Sequence, residues 1–147
     1  MKDNFFLLDT NIMVYAFDSS ERIKQRIASG IIEDVIRGKI KIALSVQNLA
    51  EFFFVATKKI EAPLSIEDAQ KIIDRFVKLG SIQKICYTEK TLLSALELLK
   101  KHNLHIWDAL LIATMLENGV YAIYTENEKD FGRVKQINVM NPFKKDS

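Results

Sequence analysis

Short runs of apolar residues alternate along the chain with longer segments in which apolar residues recur at helical spacing. The short runs predict strands, and the longer segments predict helices. The predicted strands span residues 5–8, 40–44, 82–87, 120–124 and, as a short final strand, 136–140. The first predicted helix begins directly after residue 8. Further helices are predicted at residues 21–37, 45–58 and 65–79, from residue 88 onward, and at 106–117.

Residues typical of helix ends support these boundaries. Asp9 and Ser45 precede helical segments and are favoured at helix N-caps, whereas Asn118 and Gly119 are typical of a helix C-terminus. Strands that alternate with helices indicate βαβ units and a parallel sheet. We therefore predict an α/β fold in a single domain spanning residues 1–147, with a parallel sheet of four to five strands flanked by helices.

The composition is that of a globular protein. Apolar residues make up 48% of the chain and charged residues 27%, with 5 Gly and 2 Pro, which excludes a disordered or collagen-like chain. The net charge of +2 excludes a protein that coats DNA through overall positive charge, but a local patch can still bind phosphate. The single cysteine excludes an internal disulfide and a cysteine-rich zinc site.

The apolar runs are short for a targeting or membrane segment. A secretory signal needs an apolar core of roughly 7–15 residues, and a helix that spans a bilayer needs ~20. Together with the single cysteine, this predicts a cytoplasmic protein that does not associate with membranes.

Three carboxylates stand in apolar surroundings. Asp9 ends the first apolar run, where open parallel sheets bind their ligands. Glu51 lies within the apolar helical residues 49–56, and Asp108 within residues 106–113. A carboxylate that is buried needs a partner, a proton or a metal. Helix capping by Asp9 and Asp108, and exposure of Glu51, are the structural alternatives.

A fourth acidic element follows the strand predicted at residues 120–124. It contains Glu126, Glu128 and Asp130, and the sequence leaves open which of them faces inward. Carboxylates that converge on one pocket raise each other's pKa, and a hard divalent cation such as Mg²⁺ or Mn²⁺ relieves their repulsion. The chemistry that follows is metal-assisted hydrolysis of a phosphodiester.

Other chemistries have weaker support. The sequence contains no glycine-rich phosphate loop and no Gly-x-Gly-x-x-Gly motif. His102 and His105 lack the further ligands of a zinc site, and we interpret them as solvent-facing or capping residues. Cys86 lies in a predicted strand, and we interpret it as a small core residue.

The order of these motifs resembles that of the PIN-domain nucleases, and within them the VapC-like toxins of type II toxin–antitoxin pairs. The resemblance covers nearly the whole chain and implies a PIN-like fold, in agreement with the predicted parallel sheet. The motifs that carry it are Leu7-Leu8-Asp9-Thr10-Asn11, Asn48-Leu49-Ala50-Glu51-Phe52, Trp107-Asp108-Ala109 with Ala113, and Tyr124-Thr125-Glu126-Asn127-Glu128-Lys129-Asp130-Phe131.

The resemblance implies a site for Mg²⁺ or Mn²⁺ in which Asp9, Glu51 and Asp108 are catalytic carboxylates and metal ligands. Asn127 stands where the strictest form of the closing motif has an acid. Asp130 is therefore the preferred fourth catalytic acid. The resemblance also implies residues that support these carboxylates, in part through hydrogen bonds. They are Thr10, Asn11, Thr125, Glu126, which is also the second choice for the fourth acid, and Asn127.

The resemblance further implies a metal-dependent endoribonuclease that cleaves RNA, a cognate antitoxin protein and a homodimer. The apolar residues at 31–36 and 52–54 are candidates for partner surfaces, although core packing explains them equally well. Candidate contacts to RNA phosphates are Lys39, Lys41, Lys58, Lys59, Lys100, Lys101, Lys129 and Arg133.

Three alternatives remain open at the level of sequence. The first is a PIN nuclease that processes RNA without an antitoxin, and the second is a PIN fold that binds a partner or RNA without catalysis. The third is a phospho-acceptor module of the receiver type. A receiver needs an acidic pair after the first strand and an aspartate after the third, whereas Thr10 follows Asp9 and Cys86-Tyr87-Thr88 stands at the later place.

Overall fold

The computed structural model describes residues 4–144; residues 1–3 and 145–147, the two ends of the predicted 1–147 domain, lie outside the described residues. Within the described part, five strands alternate with seven helices. The strands are β1 (Phe6–Leu8), β2 (Ile42–Ser45), β3 (Gln83–Ile85), β4 (Ala122–Tyr124) and β5 (Asn138–Met140). The helices are α1 (Thr10–Ala16), α2 (Arg22–Ile36), α3 (Val46–Lys58), α4 (Ile66–Lys78), α5 (Glu89–His102), α6 (Ile106–Glu117) and α7 (Glu128–Phe131).

The strands form one parallel sheet in the order β3-β2-β1-β4-β5. The predicted α/β fold with a parallel sheet of four to five strands is therefore confirmed. Leu7 in the central strand pairs with Ala43 of β2 and with Ile123 of β4. A central strand of a parallel sheet is covered on both faces, which explains why β1 is apolar throughout.

Helices cover both faces because successive side chains of a strand point to opposite sides of the sheet. Leu7 packs into a core that contains Ala95 of α5 and Ile112 of α6. Leu8 packs into a second core that contains Ile12 of α1 and Phe52 of α3. Helices α1 to α4 thus share one face, and α5 and α6 lie on the other.

After β3 the chain crosses to the other side of the central strand β1. Strands β2 and β3 extend the sheet from β1 toward one edge, whereas β4 and β5 extend it toward the other. The carboxyl ends of β1 and β4 therefore form the topological switch point, where open α/β sheets bind ligands. Asp9 follows β1 there, and its backbone N–H donates to the carbonyl of Tyr124 at 3.1 Å.

Helix α6 is apolar on all sides because it lies between the sheet and α5. All residues from 109 to 115 are buried, and Asp108 occupies the first turn. This helix has only 12 residues. Among residues 4–144, no helix is long and apolar enough to cross a bilayer.

The structure differs from the predictions at Cys86 and in the loop after β4. Strand β3 ends at the buried Ile85, and Cys86 beyond it is exposed, so its interpretation as a core residue is wrong. The polar loop contains one helical turn, α7. Asn127 caps this turn, because its Oδ1 accepts a hydrogen bond from the backbone N–H of Asp130 at 3.3 Å.

Several leucines of α5 lie on the outside. Leu92, Leu93 and Leu96 are exposed, whereas the buried residues of this helix are Thr91 and Ala95. The small Ala95 side chain lies in the core shared with α6. Leu98 and Leu99 are partly buried against the same core, so only some of the leucines of α5 lie outside.

Candidate active site

Asp9 is a buried carboxylate at the centre of a hydrogen-bond network. It is the N-cap of α1, and its side chain is buried. Its Oδ1 accepts a hydrogen bond from the backbone N–H of Thr10 at 2.8 Å, and its Oδ2 accepts one from the Thr125 hydroxyl at 2.7 Å. The amides of Asn11 and Asn48 also donate to it, at 3.3 and 3.4 Å. Helix capping and site formation are therefore combined in one residue.

Burial raises the pKa of Asp9 from its ordinary value of 3.8 to about 6. Hydrogen bonds from Thr125 and from the Thr10 backbone lower this pKa, while the nearby charges of Glu51 and Asp108 raise it. The burial effect outweighs the hydrogen bonds. Such a carboxylate gains from a nearby positive charge, which stabilises its ionised form.

A hydrogen-bond chain connects Asp9 to Glu51 through side chains on α1 and α3. Asn48 Nδ2 donates to Thr10 Oγ1 at 3.0 Å, and this hydroxyl donates to Glu51 Oε2 at 3.1 Å. Asn48 is fully buried, and the Ser45 hydroxyl donates to its Oδ1 at 2.7 Å. Asn48 was not predicted as a site residue from the sequence, although a polar side chain in an apolar helix is the same signal that identified Glu51.

Gln47 holds the other oxygen of Glu51. Its Nε2 donates to Glu51 Oε1 and to the backbone carbonyl of Trp107, both at 3.2 Å. Because both partners are acceptors, the amide nitrogen must face them. The Gln47 Oε1 atom is buried and has no hydrogen-bond partner. The start of α3 is thereby tied to the start of α6, and Gln47 was not identified from the sequence.

Asp108 is half-buried in the first turn of α6. Burial raises its pKa, and the charge of Asp130 raises it further. The charge of His105 opposes this effect, and that of Glu51 adds to it. The charge of Glu51 thus raises the pKa of both Asp9 and Asp108.

The closing motif supplies Asn127 to the cleft, whereas Asp130 does not line it. Asn127 Nδ2 donates to Asp130 Oδ2 at 3.1 Å, and Arg133 Nη1 lies 3.7 Å from Asp130 Oδ1. Asn127 therefore lies between Asp130 and the cleft, and the charge of Asp130 still raises the pKa of Asp108. The backbone N–H of Asn127 donates to Thr125 Oγ1 at 3.0 Å.

The Glu126 carboxylate is paired with a lysine. Lys24 Nζ lies 2.9 Å from Glu126 Oε2, and the Tyr15 hydroxyl donates to Oε1 at 3.2 Å. The hydrogen bonds that Lys24 donates to Glu126 and, at 3.3 Å, to the Tyr15 hydroxyl raise the pKa of Lys24. The backbone N–H of Glu126 donates to Asn11 Oδ1 at 3.3 Å, so this residue anchors the loop to α1. The sequence analysis did not identify Lys24, which comes from a different helix.

These residues surround an open cleft of about 580 Å³ at the carboxyl ends of β1 and β4. Asp9, Glu51 and Asp108 line it together, and Lys59 is the basic residue among its lining residues. The polar lining also includes five hydroxyl and amide side chains and three further carboxylates: Thr10, Asn11, Tyr15, Ser20 and Asn127, with Asp18, Glu21 and Glu61.

The side chains of the cleft fit a hard cation by their chemistry, since they offer carboxylate, hydroxyl and amide oxygens. Within residues 4–144, however, no three His, Cys, Asp or Glu side chains form a group that could hold a metal ion. The carboxylates that were expected to converge thus line one cleft without forming such a group. Such a spread of carboxylates suits Mg²⁺, because this ion usually keeps several water ligands and uses only one or two carboxylates.

Fold and cleft together define an α/β domain with an acidic site at the switch point of a parallel sheet. The chain belongs to the PIN domain family, whose model matches residues 6–137. The resemblance found in the sequence is confirmed at this level. No curated protein sequence matches the chain significantly.

Solved structures share this fold. A chain of a toxin–antitoxin complex from Klebsiella pneumoniae is 23% identical, with a TM-score of 0.66 over 94% of this chain and 98% of that chain. VapBC2 from Rickettsia felis, bound to a promoter DNA fragment, contains a chain 24% identical, with a TM-score of 0.63 over 93% and 98%. VapC20 from Mycobacterium tuberculosis, a sarcin-ricin loop cleaving toxin, is 14% identical, with a TM-score of 0.61 over 84% and 91%.

Proposed function

We propose that this protein is a metal-dependent endoribonuclease and the toxin of a toxin–antitoxin pair. The observation that carries the proposal is the cleft at the switch point of a PIN-family sheet, which Asp9, Glu51 and Asp108 line together. Buried Asp9 and half-buried Asp108 both have raised pKa values. Acidic side chains with strongly perturbed pKa values are typical of functional sites.

Asp9, Glu51 and Asp108 would serve a Mg²⁺ or Mn²⁺ ion, one or two of them as direct ligands and the others through water molecules on the ion. Asp130 would act on Asp108 through its charge. When bound, such a cation neutralises charge on the phosphodiester and lowers the pKa of a water molecule that attacks it. The choice of metal rests on the all-oxygen donor set.

The surrounding side chains keep the carboxylates in place. Thr125 and the Thr10 backbone N–H donate to Asp9, so its oxygens keep fixed directions. The Thr10 hydroxyl and Gln47 each hold one oxygen of Glu51. Carboxylates held in this way need to move little when a cation and a phosphate enter the cleft, so the free-energy cost of reorganisation is small.

The proposed partners are RNA, a cognate antitoxin and a second copy of this chain. Support for the antitoxin comes from the similar folds found in toxin–antitoxin complexes. Phe52, in one of the apolar segments suggested as partner surfaces, is buried, whereas Phe54 and Ile36 are exposed. Only the exposed members of those segments are available to a partner.

The proposal is tested by RNA cleavage with Mg²⁺ or Mn²⁺ and with a chelator. We expect the wild-type chain to cleave only with the cation, and Asp9→Asn and Asp108→Asn to lose cleavage. Asp74→Asn is the matched control, because Asp74 is an exposed acid that pairs with Lys78 on α4. Cleavage that persists in the chelator, or in both site variants, would contradict the proposal.

The toxin role is tested separately from cleavage. We expect expression of the wild-type chain to arrest growth, and expression of Asp9→Asn to have no such effect. If a small protein is encoded beside the gene, its co-expression should restore growth, and this protein should co-purify with the chain. Cleavage in vitro without growth arrest would favour a PIN nuclease that processes RNA without an antitoxin.

A further inference from the structure

We propose that Trp107 and Phe54 form two stacking positions for the bases of single-stranded RNA beside the acidic cleft. This inference rests on the proposed function, because it concerns how the substrate lies on the cleft. Trp107 is 58% exposed and Phe54 is 55% exposed. Large exposed aromatic side chains are unusual, and they are frequent where a ligand stacks.

Both aromatic residues are close in sequence to carboxylates of the cleft. Trp107 directly precedes Asp108 in the first turn of α6, and Phe54 follows Glu51 by three residues on α3. Residues three apart on a helix are neighbours on its surface. A strand of RNA with its phosphate at Glu51 would therefore have a flanking base within reach of Phe54, and a second base would lie toward Trp107 at the start of α6.

The backbone at Trp107 is tied to the site by Gln47. Its amide nitrogen bonds both the Trp107 carbonyl and Glu51 at 3.2 Å. The start of α6 therefore keeps a fixed position relative to the carboxylate of Glu51. A rigid platform loses little entropy when a base stacks on it. The other side-chain atom of this amide, Gln47 Oε1, is buried and receives no hydrogen bond.

A positive charge accompanies the second aromatic residue. Lys59 Nζ lies 5.5 Å from the centre of the Phe54 ring, and Lys59 also lines the cleft. Proteins that bind single strands combine aromatic platforms with cations that follow the phosphate backbone. The arrangement at Phe54 has both elements, and it favours an RNA strand over an apolar segment of protein.

The first experiment uses the fact that the chain has a single tryptophan. Fluorescence of the wild-type protein is followed in a chelator while a short single-stranded RNA is added, so that binding is observed without cleavage. We expect RNA to quench the fluorescence of Trp107. An oligomer of the same length without bases should bind more weakly and quench less.

The second experiment compares RNA affinities by anisotropy of a labelled RNA. Trp107→Ala and Phe54→Ala should each weaken binding by about 5- to 150-fold, the range expected for the loss of one base stack. Trp107→Tyr should retain most of the affinity. Tyr121→Ala is the control. Tyr121 is 48% exposed but precedes β4, so it lies at the amino ends of the strands, away from the cleft at their carboxyl ends. The RNA affinity of this variant should equal that of the wild type.

The outcomes separate this inference from the proposed function. If the wild-type chain cleaves RNA but both alanine variants keep the wild-type Kd and KM, the stacking inference is overturned and the nuclease proposal stands. Unchanged fluorescence on RNA binding would also overturn it. If Trp107→Ala instead turns a dimer into a monomer in sedimentation, the ring contacts a second copy and the inference is wrong. If the wild-type chain neither binds nor cleaves RNA, both proposals fail.

Discussion

The hydroxyl of Thr125 donates a 2.7 Å hydrogen bond to the carboxylate of Asp9, across 116 positions of sequence. Asp9 follows β1 and Thr125 follows β4, and these two strands are neighbours in the sheet. The bond therefore joins the two segments that form the switch point. It also supplies the buried carboxylate with a donor that lowers its pKa, although burial still keeps that pKa at about 6.

Thr125→Val should destabilise the protein well above pH 6, where Asp9 is ionised. The variant keeps the shape of the side chain but removes a donor to a buried charge, which typically costs about 1.5–3 kcal/mol of the free energy of unfolding. Urea denaturation measures this loss. Thr114→Val is the matched control, because that buried hydroxyl bonds only a neutral helix carbonyl, Leu110. Equal losses in the two variants would contradict a special role for the bond to Asp9.

The stability difference between the wild type and Asp9→Asn should depend on pH. Without divalent cations, the folded pKa of Asp9 is about 6 and its ordinary value is 3.8, so the folded state binds more protons between these values. The wild type should therefore lose up to about 3 kcal/mol relative to the variant as the pH rises from 4 to 7. Urea titrations at several pH values measure this. Parallel pH curves for the two proteins would refute the prediction.

Asp108→Asn should leave the melting temperature unchanged or raise it when a chelator is present. Burial and the charges of Asp130 and Glu51 raise the pKa of Asp108, so its ionised form is disfavoured and its neutralisation relieves repulsion. The lost interaction with the helix N-terminus costs about 0.3–1 kcal/mol and opposes the gain. Calorimetry with and without Mg²⁺ gives the answer: the cation should stabilise the wild type more than the variant. A large drop in the chelator would instead identify Asp108 as a structural cap.

Lys24→Met should reduce activity more than it reduces stability. The pair with Glu126 is partly exposed, so its removal should lower the free energy of unfolding by no more than about 1 kcal/mol. The same pair anchors the loop that carries Asn127, and its loss should lower kcat. Lys24→Arg should restore most of the activity. Lys78→Met, which breaks the exposed pair with Asp74 on α4, should change neither quantity. A fall in activity that matches the fall in folded fraction would rule out this positioning role.

Several elements could be predicted because their signals are local. Ser45 caps α3 as predicted, and its Oγ accepts the N–H of Asn48 at 2.9 Å. The apolar run of β1 and the carboxylate that ends it predicted the switch point. Cys86 was misinterpreted as a core residue, because the apolar run does not show that the strand ends at Ile85.

By itself, the sequence determined the class of fold, the order of the elements and three carboxylates that line the cleft. These follow from periodicity and from polar residues within apolar runs, which are properties of short segments. Only the tertiary structure decided how the remaining polar groups are used. Glu126 pairs with Lys24 across 102 positions, Asn48 of α3 donates to Thr10 of α1, and Gln47 of α3 donates to the Trp107 carbonyl of α6. Such pairings depend on which helices pack together at the carboxyl edge of the sheet, and no local pattern contains that information.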